Sequence, residues 1–243
     1  THRAQFHVDR PEDIAIEVLE HYCPEVLKRN QPRKTPVLEI LKGLMERTGL
    51  KFAYGDLGFR NDQKILGKVS FAQKTLFLDE CLTGPLAKRF QFTAAHEIGH
   101  WVLHRHSYSR WKFTIDQDGS LEDDDPSLHK LSDNSPRGWL EFQANVFASA
   151  LIMPRVNFEF AVAKAQVSIG IRRQIGLVYL NGTPQSQLDK IRVIEKLEEI
   201  YHTSKQAIDI RLETLNLVET QPKIKPLRHS VNDWGDPKDT SAF

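Results

Sequence analysis

Between Phe92 and His106 the chain reads Phe-Thr-Ala-Ala-His-Glu-Ile-Gly-His-Trp-Val-Leu-His-Arg-His, with no proline to interrupt it. Phe92, Ala95, Ile98, Gly99, Val102 and Leu103 recur at spacings of three and four, which predicts an α-helix with an apolar face. His96 and His100 sit four residues apart on it, about 40° apart in azimuth and about 6 Å in height. Two imidazoles so placed close on one ion. Glu97 stands about 100° round the helix from His96, where it reaches a water beside the ion rather than the ion itself. His-Glu-x-x-His on a helix is the pattern of a metallopeptidase centre.

Two histidines leave such a centre short of a ligand, because a catalytic zinc keeps three protein groups and one open position. His106 is ten residues after His96, but Leu103 stands midway, where a glycine would be needed to fold the chain back. If the helix continues, His106 lies about 15 Å along the axis from His96 and misses the ion. His104, one turn past His100, is expected to pack or to hold a ligand ring. Glu141 is better placed, on a second helix from Trp139 to Met153 stopped by Pro154. Glu141, Ala144, Asn145 and Ala148 share one face of it, small enough to let this helix approach Gly99. A carboxylate on such a face is costly to bury unless it is paired or bound to metal. Asn145 is placed to accept a hydrogen bond from the outer nitrogen of a ligand histidine. The expected ligands are His96, His100 and Glu141, with Glu97 catalytic. That donor set suits zinc best, and manganese or iron would also fit.

The 243 residues suffice for one large domain, or for a catalytic domain with an appendage. A net charge of +1 supplies no global field toward nucleic acid or membrane. Cys23 and Cys81 are the two cysteines. They are too few for a disulfide scaffold and form no Cys-x-x-Cys pair, which points to a reducing compartment. No apolar run reaches the roughly 18 residues of a membrane span. The opening Thr-His-Arg-Ala-Gln-Phe-His lacks the apolar core of a signal peptide, and a start on Thr1 reads as trimmed. A cytoplasmic protein is expected.

In chain order, Pro11 to Asn30 reads as a helix divided near Pro24, with Ile14, Val18, Leu19, Tyr22, Val26 and Leu27 as its stripe. A second helix runs from Pro36 to Gly49, with Val37, Ile40, Leu41, Leu44 and Met45 inward. Leu50–Tyr54, Ile65–Phe71 and Thr75–Leu78 read as strands, with a tight turn at Gln73-Lys74. An edge of this small, mostly antiparallel sheet is a place for an extended peptide to add as a strand. Residues 114–138 hold seven acids against Lys130 and Arg137 and read as a mobile surface loop, with Glu122–Asp125 as a solvated charge run. Beyond Pro154, residues 155–176 are helical in part. Gln185–Tyr201 is a helix with Leu188, Ile191, Ile194, Leu197 and Ile200 inward. Thr203-Ser-Lys-Gln206 resembles a capping box that opens a further helix, and the pair has a helix-turn-helix shape. The expected class is α+β. A catalytic domain over 1–158 carries the acidic insert, a helix-turn-helix-like region follows over 159–218, and 219–243 is an irregular tail.

His96-Glu-Ile-Gly-His100 followed by Glu141-x-x-Ala144-Asn145-x-Phe147-Ala148-x-x-Leu151-Ile152-Met153-Pro154 resembles the ImmA/IrrE family of intracellular metallo-endopeptidases. The resemblance covers roughly 36–218. It takes in the strands before the metal helix and the segments Ile200–Ser204 and Arg211–Leu217. It implies a minimal zincin fold in which Glu141 is the third zinc ligand. It also implies a substrate, a helix-turn-helix repressor whose cleavage relieves repression in a phage, mobile-element or DNA-damage circuit. One departure is the 40 residues between His100 and Glu141, lengthened by the acidic insert, which bears on substrate identity and access.

In peptide hydrolysis Glu97 would take a proton from water and pass it to the leaving amine. Tyr108, His129, Arg137 and His104 are candidate donors to the oxyanion. A function of another class rests on the C-terminal helix pair, with Lys190, Arg192, Lys196, Lys205 and Arg211 nearby and Arg172-Arg173 upstream. These would suit a DNA-binding or repressor-binding regulator whose metal is structural or not proteolytic. An intact Glu97 weighs against a merely structural metal.

Overall fold

The computed structural model describes residues 11–60, 62–106, 120–123, 135–172 and 174–220. Helix α1 (Pro11–Tyr22) opens on a proline with Glu12 and Asp13 in its first turn, where acids suit the helix dipole. It stops short of Pro24, and a 3₁₀ turn over Pro24–Leu27 carries the apolar stripe on through Val26. Helix α2 (Val37–Thr48) buries Val37, Ile40, Leu41 and Leu44. It ends at Gly49, whose φ of 70° is the left-handed cap that glycine adopts without strain.

Strand β1 (Lys51–Gly55) leads into a short finger of β2 (Phe59–Arg60) and β3 (Gln63–Lys64). Strands β4 (Gly67–Ser70) and β5 (Thr75–Asp79) follow, joined by a turn with Lys74 at a φ of 52°. Asp79 is buried at the end of β5 and anchors the loop before the finger. It accepts hydrogen bonds from the N–H groups of Leu57 (2.8 Å) and Cys81 (3.0 Å), and Lys64 Nζ lies 3.0 Å away. Burial alone would raise its carboxyl. Hydrogen bonds from the Cys81 side chain, the Leu57 and Cys81 backbone and Lys64 prevail and hold it at about 2.

Helix α3 (Phe90–His104) carries the His-Glu-x-x-His run, and strand β6 (Ser120–Asp123) lies beyond it. The sheet order is β1-β5-β4-β6. Two of its three pairings are antiparallel, and β1 runs parallel to β5, so the sheet is mixed. Strand β6 corrects the reading of 114–138 as loop throughout. Ser120–Asp123 pairs with β4 in the register Gly67↔Asp123 to Ser70↔Ser120. An edge strand is held by backbone hydrogen bonds, so a Ser-Leu-Glu-Asp sequence joins one without the alternation that signals a strand.

Helix α3 is buried at every residue from Gln91 to Trp101, rather than on the single face its apolar spacing suggests. A helix covered all round belongs at the centre of the molecule. Strands β4 and β5, α2, and helix α4 (Pro136–Ile152) pack around it. Helix α4 starts at Pro136 rather than Trp139, because the Ser135 hydroxyl caps it by accepting from the Gly138 N–H and proline suits the first turn. The two helices are in tight contact at Gly99. A Cβ there would meet the Phe147 ring at 3.0 Å and the Ala144 carbonyl at 3.2 Å.

Helix α5 (Arg155–Ser168) leaves α4 at 58° and runs through residue 158. Strand β7 (Val178–Leu180), α6 (Pro184–Tyr201), α7 (Lys205–Thr214) and β8 (Val218–Thr220) complete the fold, with β7 and β8 parallel. Strand β8 takes the first residues expected to be tail. Helix α6 turns Val193, Ile194, Leu197 and Tyr201 inward, and Leu188 and Ile191 are 47% and 48% exposed, contrary to the expected stripe. The cap of α7 is Ser204, whose hydroxyl accepts from the Ala207 N–H, and Thr203 is buried. Arg211 of α7, 1% exposed, donates to the Met153 carbonyl at the end of α4 and to Glu12 of α1. One apolar core runs from Ala15 to Leu217. No single helix among the described residues is long and apolar enough to cross a membrane.

Candidate metal centre

His96 and His100 come from the middle of α3 and Glu141 from the second turn of α4. Their side chains meet because Gly99 and Ala144 let the two helices touch. His96 Nε2 and His100 Nε2 are 2.8 Å apart, and Glu141 Oε2 is 3.1 Å from the first and 3.2 Å from the second. Ligand atoms on a tetrahedral zinc lie roughly 3.3 Å apart, close to all three separations. His96, His100 and Glu141 are 0%, 1% and 4% exposed. Glu141 Oε1 is buried with no hydrogen-bond partner. Three ligand atoms facing one another, beside a carboxylate oxygen with no hydrogen-bond partner, could hold a cation among them. The donor set fits a divalent ion such as zinc.

Burial would raise the Glu141 carboxyl, but the His100 and His96 rings against it hold it well below the usual carboxylate range. It is therefore a carboxylate. His96 Nδ1 is 2.9 Å from Asn145 Oδ1, the acceptor expected for a ligand ring. His100 Nδ1 lies 3.2 Å from His104 Nδ1, and His104 Nε2 lies 3.1 Å from Gln143 Oε1. Burial first, then the neighbouring His100, push His104 down to about 3, so it is neutral.

Glu97 is fully buried and lies against β4. A Cβ on Gly67 would fall 2.4 Å from Glu97 Oε1. The bare backbone of β4 at that point is what makes room for the carboxylate. Arg137 is half-buried in the first turn of α4, one turn before Glu141. Tyr108 and His129 lie outside the described residues. His106 is exposed beyond the end of α3 and lines a separate hollow with Arg47, Lys74 and Arg105.

Sequence reasoning did not reach Gly67 or Gln143. A glycine inside a strand pattern is a signal of close approach, and it was there to be read. Gln143 had no such signal, since nothing local pairs it with a histidine on another helix.

The model of the IrrE N-terminal-like peptidase domain matches residues 46–213. No curated protein sequence matches the chain. Among solved structures, a Mycobacterium tuberculosis transcriptional regulator aligns at 15% identity with a TM-score of 0.39, over 79% of this chain and 48% of that one. The chain thus spans about half the length of that regulator. With a buried His-His-Glu trio and a match over most of its length, the chain belongs to the IrrE N-terminal-like peptidase family.

Proposed function

We propose that the protein is a zinc-dependent endopeptidase whose substrate is a helix-turn-helix repressor in the cytoplasm. The observation that carries the peptidase reading is the convergence of His96, His100 and Glu141 with Glu97 one residue along the same helix. His96, His100 and Glu141 would hold a divalent ion, which when bound would supply Lewis acidity to a water and to the scissile carbonyl. Glu97 accepts the water's proton and returns it to the leaving amine. Its burial between α3 and β4 holds it in one place for both transfers. Arg137 is the described candidate for an oxyanion donor. The repressor as substrate rests on the family resemblance.

Peptide access meets a condition set by the sheet. Strand β4 lies against Glu97, β5 occupies one of its edges and β6 the other. An extended peptide that pairs with β4 beside the base must displace β6.

The rival reading, a DNA-binding regulator, loses most of its bases. Lys190 pairs with Asp209 at 2.6 Å, Lys196 with Glu199 at 2.9 Å and Lys205 with Glu195 at 2.8 Å. Arg211 is buried against Glu12. Neutralised bases release few phosphate counterions.

Co-expression with candidate repressors tests the proposal. Wild type should yield a discrete fragment that chelator abolishes. Glu97→Gln should keep its metal and yield none. Cleavage by Glu97→Gln at the wild-type rate would sink it.

A further inference from the structure

The two ligand rings are held from behind by different means, both from α4. Asn145 reaches His96 directly, its Oδ1 2.9 Å from Nδ1. His100 is addressed through a second histidine. Its Nδ1 faces His104, one turn along α3, and His104 in turn faces Gln143. His104 and Gln143 are 4% and 2% exposed. Gln143 lies two residues from Glu141 and two from Asn145, so one stretch of α4 addresses all three ligands.

Proton placement along this row has a definite polarity. Gln143 Oε1 only accepts, so His104 carries its proton on Nε2. A neutral His104 then has a lone pair on Nδ1, which accepts from His100 Nδ1–H. With its proton on Nδ1, His100 presents a bare Nε2 toward His96 Nε2 and Glu141 Oε2, the atom a metal needs. Turning the Gln143 amide round reverses every step. Its NH₂ would donate to His104 Nε2, His104 would donate from Nδ1, and His100 would carry its proton on Nε2, facing the metal position. Only one orientation of one buried amide is compatible with a ligating His100.

We propose that Gln143 is a positioning residue for His100, acting through His104 to set the tautomer of both rings. This rests on the reading that the trio holds a metal. Partners behind a ligand histidine typically change metal affinity about 10–100-fold when removed.

The test reads tautomers directly, by long-range ¹H–¹⁵N correlation spectra of histidine-labelled protein. In metal-free wild type near pH 8, His104 should be neutral with its proton on Nε2. In zinc-loaded protein His100 should carry its proton on Nδ1. Gln143→Met keeps the volume and removes the acceptor. It should lose the His104 tautomer preference and bind zinc about 10–100-fold more weakly against a competing chelator. Gln143→Glu restores an acceptor at the same reach and should recover both. A wild-type His104 protonated on Nδ1 overturns the proposal, even if the methionine variant fails to fold. So does Gln143→Met with wild-type zinc affinity. A wild type that takes up no zinc would instead refute the metal reading, and the His104 tautomer would remain readable.

Discussion

Gly67→Ala separates the chemistry from the fold. The new Cβ would stand 2.4 Å from Glu97 Oε1 and 2.8 Å from both Cδ and Cγ. Nonbonded carbon contacts settle at about 3.5 Å or more, so one side must retreat by roughly 1 Å. Strand β4 is paired on both edges, by β5 and by β6, and is the stiffer partner. The Glu97 side chain is the part that moves. A displacement of about 1 Å at a catalytic group costs on the order of 100-fold in rate, or about 2.7 kcal/mol of barrier. Stability should hold, because Gly67 does not have positive φ and alanine there restricts the unfolded chain. The assay compares three quantities on the zinc-loaded protein: turnover of an unstructured polypeptide, zinc stoichiometry and melting temperature. Turnover should fall about 100-fold with the other two unchanged. Wild-type turnover would show that β4 does not fix the base. A melting temperature lower by many degrees would show that the strand yields instead.

Glu141→Gln should lower zinc affinity by more than about 100-fold, since a ligand counts for more than the partners behind it; stoichiometric zinc at the wild-type affinity would remove Glu141 from the site. Asp79 gives a pH signature. Its carboxyl sits at about 2 in the fold against an ordinary 3.8. Its contribution of about 2 kcal/mol is therefore complete above pH 4 and lost as pH falls toward 2. In urea unfolding, Asp79→Asn should be less stable than wild type at pH 7 and approach it near pH 2.5, whereas a gap that stays constant contradicts the assignment. Replacing Ser120–Asp123 with glycines weakens β6, because glycine is a poor strand former. An extended peptide should then show a lower KM with kcat held, and an unchanged KM would mean that substrate does not use the β4 edge.

The helix of the His-Glu-x-x-His run was legible because its information is local. Spacing four along a helix places two rings whatever surrounds them, and the residues that stop α2 and α4 act within a turn. Glu141 was also within reach, since a carboxylate on a small-residue face has few reasons to be there. What failed was local too weakly. Leu188 and Ile191 share the spacing of Ile194 and Leu197, yet α6 buries the latter two with Val193 and leaves the first two exposed. Strand β6 forms on backbone pairing that its side chains do not announce.

Residue order by itself thus singled out His96, Glu97 and His100 as neighbours on one helix, because helical periodicity is a property of the chain. The tertiary structure decided who stands behind them. Gln143 meets His104 across 39 positions, Asn145 meets His96 across 49, and Gly67 makes way for Glu97 from a strand on the sheet. Contacts between separate elements depend on how closely the backbones approach, and no spacing along one segment carries that distance.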